Sequence, residues 1–201
     1  MHGVHVWRAN LSLPPTEVAT LHELLDPVER SRAAKFRNER DRRRFIVARA
    51  TLRILLGDYI DRSPRDVPLH VLPEGKPALD REVESAAPRF NVSHCGELAL
   101  FAFADREVGI DVERLAAHDD MSSVAAHFFS PEEADVFGRA AEEDRTRLFY
   151  RTWVRKEAYL KATGSGLAID PASASVADSY EVHDLADIDG HVAAIALAPT
   201  P

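Results

Sequence analysis

The sequence has little cysteine, little lysine and no long apolar run, and each shortage excludes a class of protein. Of its 201 residues one is cysteine, Cys95, and only four of the 25 basic residues are lysine. A single thiol excludes a disulfide framework and a zinc site made of several thiolates, and it is typical of a reducing compartment. No apolar run is longer than residues 98–104, which have the length of a strand, and the first residues lack a secretion signal. We therefore expect a cytoplasmic chain of one or at most two small domains.

The charges are strongly segregated along the chain. The formal net charge is -8, yet residues 29–53 hold ten basic residues against three acidic ones. Residues 105–148 hold twelve acidic residues against five basic ones. A concentrated basic segment in an acidic protein indicates a local anion site rather than general affinity for polyanions.

Periodicity and turn signals predict an α+β fold with two similar halves that meet near residue 95. Helices are predicted from residue 15 to a break at 26–27, as one long basic helix from there to residue 59, and at 121–128, 130–137 and 142–163. Strands are predicted at 4–9, 67–72, 77–79, 89–93, 98–104, 108–113, 174–177, 180–183 and 191–198. Strands 98–104 and 108–113 are expected to form a hairpin through residues 105–107.

Two carboxylates alternate along the predicted strand 108–113. Gly109, Asp111 and Glu113 share one face, because side chains alternate in a strand, and the valines and isoleucine between them face a core. The carboxylates lie about 6 to 7 Å apart, where they repel by roughly 2.5 kcal/mol at an effective dielectric near 20. A divalent cation would reverse that repulsion, and oxygen ligands favour magnesium or manganese over zinc. A solvated strand face is the simpler alternative.

A third carboxylate falls on the apolar side of the predicted helix 142–163. Glu157 lies within an apolar arc, and Lys161 follows one turn later on the same side, whereas Arg151 and Arg155 point away. The arc consists of Phe149, Tyr150, Trp153, Val154 and Leu160. A carboxylate in such surroundings costs several kcal/mol unless it is paired or bound to metal. An i,i+4 pair with Lys161 contributes only a few tenths of a kcal/mol, so we favour Glu157 as a third metal ligand and Lys161 as an anion contact.

Further candidate anion contacts lie at a strand end, at a turn and on the basic helix. Ser93 and His94 are hydrogen-bond donors at the end of a strand, and Lys76 occupies the turn Gly75-Lys76-Pro77. A Ser93–His94 nucleophile pair is disfavoured because neighbouring residues of a strand point to opposite faces. One helical face carries Arg37, Arg40 and Arg44, of which we expect only one or two to contact a ligand.

Five segments follow one another in order: 75–77 (Gly-Lys-Pro), 90–94 (Phe-Asn-Val-Ser-His), 109–113 (Gly-Ile-Asp-Val-Glu), 153–161 (Trp-Val-Arg-Lys-Glu-Ala-Tyr-Leu-Lys) and 164–167 (Gly-Ser-Gly-Leu). Together they resemble the 4'-phosphopantetheinyl transferases of the surfactin-synthetase-activating type. The resemblance implies a fold of two pseudo-symmetric halves, each a small antiparallel sheet packed with helices. It implies an N-terminal half, 1–95, that contacts the 3'-phosphate and adenine of coenzyme A, and a C-terminal half, 96–201, with a magnesium site.

The same resemblance implies transfer of the 4'-phosphopantetheine arm of coenzyme A to a serine of an acyl or peptidyl carrier protein, with release of adenosine 3',5'-bisphosphate. The implied site residues are Asp111, Glu113 and Glu157 as ligands of magnesium or manganese on the pyrophosphate; Lys76, Ser93, His94 and Lys161 as phosphate contacts; and Arg32 and Arg44 near the 3'-phosphate and adenine. Asp111, Lys161 and His94 take catalytic roles with Glu157, which would accept the serine proton directly or through a water. The expected protein is a monomer that binds neither nucleic acid nor membrane.

One departure and two alternatives accompany this interpretation. Glu29 stands where relatives often carry a lysine toward the 3'-phosphate, so Arg32 or Lys35 would replace that contact. The metal residues also suit a magnesium-dependent phosphodiesterase or nuclease, although the basic residues are confined to one helix. A non-catalytic nucleic-acid-binding module would use residues 30–53, but it leaves Glu157 unexplained. The carrier protein is expected to dock near residues 121–129.

Overall fold

The computed structural model describes residues 3–72, 75–84, 87–164, 172, 180–186, 188 and 190–200. The chain divides into two compact units, one drawn from residues 1–7, 89–96 and 100–201 and the other from residues 8–88 and 97–99. These units differ from the ranges 1–95 and 96–201, because residues 89–96 group with the C-terminal part of the chain. The boundary at residue 95 stays a prediction.

Helices and short sheets alternate along the chain, and the predicted α+β class is confirmed. The strands are β1 Val4–Asn10, β2 Leu69–Val71, β3 Pro77–Leu79, β4 Arg89–Cys95, β5 Leu98–Ala104, β6 Val108–Arg114, β7 Glu181–Leu185 and β8 His191–Leu197. The helices are α1 Pro15–His22, α2 Pro27–Ala34, α3 Glu39–Ile60, α4 Arg81–Glu84, α5 Met121–Phe128, α6 Pro131–Arg139 and α7 Glu142–Thr163, with a 3₁₀ turn at Pro64–Asp66. The strand orders are β1-β5-β4, β2-β3 and β6-β8-β7. In the part of the chain that the structure describes, no helix is long and apolar enough to cross a membrane.

The predicted hairpin between β5 and β6 is wrong. β5 lies between β1 and β4, whereas β6 pairs antiparallel with β8, from Val108 opposite Leu197 to Arg114 opposite His191. Residues 105–107 do not form a hairpin turn between β5 and β6, and they contact residues that follow much later in the sequence. The backbone N–H of Ala198 donates to the Glu107 carbonyl at 2.9 Å, and Arg106 forms an ion pair of 2.8 Å with Glu181. β6 therefore pairs with β8, a strand from much later in the sequence, and not with the neighbouring strand β5.

The long basic helix predicted from residue 27 to residue 59 is two helices, so that prediction is wrong as well. α2 starts with a capping box in which Asp26 and Glu29 bind each other's backbone N–H. It ends at Ala34, and α3 begins after Asn38, whose extended backbone and side-chain oxygen cap the N–H of Arg40 at 2.8 Å. The Asn38 cap thus starts a new helix within a segment in which nearly all residues favour helix formation.

The second half of the chain follows its predicted elements closely. α7 has the predicted bounds, and α6 starts close to the predicted residue with a capping box between Ser130 and Glu133. Gly164 ends α7 with a φ of 68°, a left-handed conformation that glycine adopts without strain. The remainder of the 164–167 segment and the predicted strand 174–177 lie outside the described residues.

The close approach of α7 to β6 depends on Gly109. A Cβ atom at Gly109 would overlap the carbonyl oxygen of Ala158 and the amide nitrogen of Ala162 in α7. The sheet also offers small side chains to the helix, because Ala158 and Ala162 pack in one buried cluster with Ala194 and Ala196 of β8. Since helix and strand approach so closely, α7 brings its C-terminal side chains directly onto β6.

Lys156 fastens α7 to α6. Its side chain is 3% exposed, and its Nζ donates to Glu133 Oε2 at 2.7 Å. The same carboxylate oxygen accepts the backbone N–H of Ser130 at 2.8 Å, so the lysine also secures the start of α6. Phe149 adds a buried aromatic contact with Phe129 and Phe137. Lys156 is a structural residue, although it directly precedes Glu157.

Candidate active site

Asp111, one of the predicted acidic residues, forms an ion pair between β6 and α7. Asp111 of β6 is 4% exposed, and its Oδ1 accepts hydrogen bonds from Lys161 Nζ at 2.6 Å and from Ser93 Oγ at 2.8 Å. Lys161 also lies 3.2 Å from Ser93 Oγ and 3.3 Å from the Ile110 carbonyl oxygen. Three predicted site residues from three different elements therefore meet at one carboxylate.

Asn91 fixes β4 against β6 at this position. Its buried Oδ1 accepts the backbone N–H of Ile110 at 3.0 Å. Because Asn91 and Ser93 share one face of β4, the same attachment directs Ser93 at Asp111. The sequence motif contained Asn91, but no role was predicted for it, since its partner is a backbone group of another strand.

The second oxygen of Asp111 differs from the first in its contacts. Among the described residues, Asp111 Oδ2 is fully buried and accepts no hydrogen bond. A buried carboxylate oxygen without a partner is unfavourable, because it has lost hydration and gained nothing in exchange. Such an atom is suited to accept a cation or a donor from a ligand.

Glu113 and Glu157 share the electrostatic environment of Asp111. Burial raises the pKa of Glu113, and the charge of Asp111 raises it further, while the Cys95 thiol opposes the shift by hydrogen bonding. Burial also raises the pKa of Glu157; Lys161 counteracts this rise, and the charges of Asp111 and Glu113 add to it. Burial and the neighbouring carboxylate charges therefore disfavour the ionised forms of Glu113 and Glu157, and a bound cation would relieve this.

The donor chemistry fits a hard divalent cation such as magnesium. All three groups are carboxylates, and the buried Asp111 Oδ2 still has its lone pairs available. Among the described residues, no three Asp, Glu, His or Cys side chains converge closely enough to hold one metal ion. The ammonium of Lys161 instead occupies the position beside Asp111 Oδ1. The role of the three carboxylates as metal ligands stays a prediction.

The structure distinguishes the two sides of α7. Lys161 hydrogen-bonds across to β6 rather than to Glu157 one turn away on its own helix. Arg151 and Arg155 point away from the site, as the helical wheel predicts, and both bind Asp184 of β7 at 2.7 and 2.9 Å. The half-buried Glu157 is consistent with its predicted place on the less polar side.

The other predicted phosphate contacts, His94 and Lys76, lie on β4 and in the turn before β3. His94 is exposed, whereas its neighbour Ser93 is buried, as alternation along β4 requires. Lys76 lies in the connection between β2 and β3, in the unit formed by residues 8–88 and 97–99. Its carbonyl oxygen accepts the N–H of Leu72 at 2.9 Å, and Gly75 turns the chain with a φ of 87°.

The basic face of α3 is largely neutralised by carboxylates. Glu97 accepts hydrogen bonds from Arg40 Nε at 2.7 Å and from Arg44 Nη2 at 2.8 Å, and Arg44 also lies 3.3 Å from Asp41. The sequence contains no signal for Glu97, which lies more than fifty residues from both arginines. Arg32 lies with its guanidinium 5.2 Å from the centre of the Phe45 ring.

Glu29 belongs to a buried structural network and does not face an anion. Its Oε2 accepts from Arg53 Nε at 2.6 Å, and Arg53 Nη2 also binds Asp26 at 2.7 Å. The guanidinium of Arg53, 1% exposed, completes its bonds on the carbonyl oxygens of Pro64 and Val67. The carboxylate of Glu29 therefore supports the junction of α2, α3 and the 3₁₀ turn.

Comparison with known proteins identifies similar families and relatives for nearly the whole chain. Residues 107–196 match the family model described as 4'-phosphopantetheinyl transferase superfamily, and residues 12–105 match the model 4'-phosphopantetheinyl transferase, N-terminal. The 4'-phosphopantetheinyl transferase HetI of Nostoc sp. is 36% identical over 97% of this chain and 87% of its own length. A phosphopantetheinyl transferase of Thraustochytrium sp. is 31% identical over 86% of this chain and 64% of its own length. The 4'-phosphopantetheinyl transferase Sfp of Bacillus subtilis is 26% identical over 88% of this chain and 75% of its own length.

Proposed function

The chain belongs to the 4'-phosphopantetheinyl transferase superfamily, and from this membership we infer that it is a transferase that moves the 4'-phosphopantetheine arm of coenzyme A to a carrier protein. The acceptor we propose is a serine of an acyl or peptidyl carrier protein. The products are then the holo-carrier protein and adenosine 3',5'-bisphosphate.

The observation that carries the chemical proposal is the pairing of Asp111 with Lys161. A buried carboxylate, whose Oδ2 has no hydrogen-bond partner among the described residues, and a partly exposed ammonium lie 2.6 Å apart, with Glu113 and Glu157 in electrostatic range. A pyrophosphate brings negative charge that the ammonium can bind, and a cation that accompanies it would satisfy the carboxylates. A single ligand, a cation-bound diphosphate, therefore supplies both an anion for the ammonium and a cation for the carboxylates.

We propose that Asp111, Glu113 and Glu157 hold magnesium, with manganese as a substitute, when coenzyme A is bound. The cation supplies charge neutralisation on the pyrophosphate oxygens. Lys161 and Ser93 donate hydrogen bonds to phosphate oxygens, as do His94 and Lys76. Arg32 and Arg44 are proposed to contact the 3'-phosphate and the adenine.

In the proposed step, the serine hydroxyl oxygen of the carrier protein attacks the phosphorus that bears the pantetheine arm. A new P–O bond to serine forms, and the bond from this phosphorus to the bridging pyrophosphate oxygen breaks. Adenosine 3',5'-bisphosphate leaves with the bonding electron pair, and Lys161 stabilises its developing charge. Glu157 takes the serine proton, directly or through one water.

The raised pKa of Glu157 suits this base role. Burial is the main cause of the shift, and it makes the carboxylate a better proton acceptor than an exposed glutamate. Binding of a cation at Asp111 and Glu113 would reverse their contribution, so the basicity of Glu157 depends on the state of the whole cluster. We expect transfer to weaken as the pH falls through the raised pKa.

The two alternative functions are not favoured. A nuclease would need a broad basic surface for its substrate, whereas α3 presents arginines that are largely paired. Glu97 binds Arg40 and Arg44, and Glu39 binds Arg42 and Arg43 at 2.7 and 2.9 Å. The same pairing removes the support for α3 as a nucleic-acid-binding helix.

Mass spectrometry of an apo-carrier protein tests the proposal. The carrier is incubated with the enzyme, coenzyme A and magnesium, and it should gain the mass of phosphopantetheine. The gain should disappear with EDTA and with the variants Asp111→Asn and Glu157→Gln. Glu143→Gln is the matched control, because Glu143 is exposed in the first turn of the same helix. No gain with carriers of several classes, or a gain that survives EDTA, would overturn the proposed chemistry.

The carrier protein is proposed to dock on the α5 region, residues 121–129, and the enzyme is proposed to act as a monomer. α5 packs on α7 through the aromatic cluster around Phe149, so a partner seated on α5 would bind an element that is in contact with the helix that bears Glu157. Light scattering at assay concentration tests the monomer. Substitution of Val124 with Asp should raise KM for the carrier more than it lowers kcat.

A further inference from the structure

A cavity of about 940 Å³ lies beside the N-terminal half of α7 and is also lined by residues of β7 and β8. Its floor is apolar, because Val154 of α7 is 1% exposed and Ala193 of β8 is 3% exposed. Leu185 and Val192 add further apolar surface. Sites for small organic ligands have a volume of roughly 300–1,000 Å³ and a largely apolar lining with a few polar groups. The cavity therefore has room for a ligand with an apolar body.

Two arginines of α7 line the same cavity. Arg147 and Arg151 are four residues apart, so their side chains lie on one face of the helix. Arg151 Nε donates to Asp184 Oδ2 at 2.7 Å, and Arg155 Nη1 donates to the other oxygen of this carboxylate at 2.9 Å. Arg147 is exposed and, among the described residues, forms no hydrogen bond or ion pair. The single carboxylate of the lining is thus already bound by two guanidinium groups, and the donors of Arg147 remain available to a ligand.

We propose that this cavity binds a small amphiphilic carboxylate, with its head on Arg147 and Arg151 and its aliphatic body on the apolar floor. A carboxylate suits a guanidinium because its two oxygens accept parallel N–H donors. Asp184 disfavours a dianionic phosphate head, because it repels the second negative charge. The side chains of Val154 and Ala193 offer no hydrogen bonds to a polar body, so an aliphatic one fits them better.

The cavity is separate from the ion pair of Asp111 and Lys161. Lys161 follows Arg151 by ten residues, which corresponds to about 15 Å along a helix axis. The aromatic cluster around Phe149 joins α7 to α5, whereas the cavity lies against β7 and β8. A ligand in the cavity therefore leaves the proposed pyrophosphate contacts and the proposed carrier-docking helix unoccupied. Binding requires no part of the transfer reaction, and it should raise Tm because the ligand binds only the folded chain.

Octanoate is the probe, and calorimetry on the full chain measures its binding without metal, coenzyme A or carrier protein. Octanol lacks the charge and acetate lacks the aliphatic body, so each should bind at least about tenfold more weakly than octanoate. Arg147→Gln should lower the affinity for octanoate about tenfold, because a charge-assisted contact is lost. The matched control is Arg139→Gln at the end of α6, where the side chain is 80% exposed and pairs with Asp135; this variant should bind octanoate as the wild type does.

Competition and thermal melts locate the bound octanoate. Saturating coenzyme A should not displace octanoate, and octanoate should raise the Tm of the wild type more than that of Arg147→Gln. Displacement by coenzyme A would place octanoate in the donor site and overturn the proposal. A wild type that binds no octanoate, an Arg147→Gln variant that binds it unchanged, or octanol that binds as tightly as octanoate would overturn it equally. None of these results bears on the transfer of phosphopantetheine, which the carrier-loading assay measures separately.

Discussion

Replacement of Gly109 with alanine should separate α7 from β6 and thereby disable the site. The new methyl carbon would overlap the Ala158 carbonyl oxygen and the Ala162 amide nitrogen, and it would lie 3.0 Å from the Lys161 carbonyl carbon. All three are backbone atoms, so no side-chain rotation relieves the overlap and the helix itself must move. Overpacking costs about 1–3 kcal/mol and more where the backbone is involved, so we expect about 3 kcal/mol. For a chain of this size that loss lowers Tm by roughly 6–12 °C.

The activity of the Gly109→Ala variant should fall as well, because the displaced helix carries Glu157 and Lys161. A shift near 1 Å at a reacting group costs about 10²-fold in rate, which the carrier-loading assay measures at a temperature where the variant is folded. Gly138→Ala is the control: among the described residues, no atom outside the adjacent helix backbone lies within 4 Å of its Cβ position, and alanine favours a helix over glycine by about 0.5–1 kcal/mol. A Gly109→Ala protein as stable and as active as wild type would refute the close packing of α7 on β6.

Three further predictions concern buried charges. Glu157→Gln should lower kcat by about 10²-fold or more. It should nevertheless raise Tm near pH 7, because the folded protein no longer ionises a carboxylate whose pKa burial raises. Below the ordinary pKa of glutamate the Tm difference should vanish, and a variant that is destabilised near pH 7 would contradict this reasoning. In the wild type, kcat/KM should fall on the acid side at a pH above the ordinary glutamate pKa of 4.5, since Glu157 must be ionised to accept a proton. A fall in kcat/KM that begins only at or below pH 4.5 would argue against the base role. Arg53→Met should cost about 3–5 kcal/mol in urea unfolding, because Glu29 and Asp26 lose their partner, whereas Arg43→Met breaks only an exposed pair and should cost less than about 1 kcal/mol.

Elements determined by local signals could be predicted from the sequence, and those determined by distant pairing could not. α7 and the start of α6 follow from helical periodicity and from the capping residues Ser130 and Glu133, which act within a few residues. The pairing of β6 with β8 depends on a strand that comes some eighty residues later, so the nearby β5 was the natural but wrong partner. The break before Asn38 was missed because helix propensity is summed over a window, whereas one cap decides where a helix starts.

In the candidate site, too, local periodicity predicts where residues lie on an element, whereas contacts between distant elements could not be predicted. Alternation along β6 placed Asp111 and Glu113 on the face with Gly109, and the helical wheel placed Glu157 and Lys161 on one side of α7. The sequence could not show that Lys161 reaches Asp111 in preference to Glu157, because that choice depends on how closely helix and strand approach. Nor could it show which arginines of α3 keep donors available, since the competing carboxylate of Glu97 comes from another part of the chain.

The two lysines of α7 show how burial separates a structural ion pair from one that can exchange its partner. Lys156 binds Glu133 at 2.7 Å and Lys161 binds Asp111 at 2.6 Å, yet their side chains are 3% and 29% exposed. Departure of Lys156 would leave a buried charge without compensation, and α6 would lose its attachment. The proposed function requires Lys161 to turn toward a phosphate while a cation takes its place on Asp111. A compact ammonium suits this exchange better than a planar guanidinium, which agrees with the use of lysine here in a chain that otherwise relies on arginine.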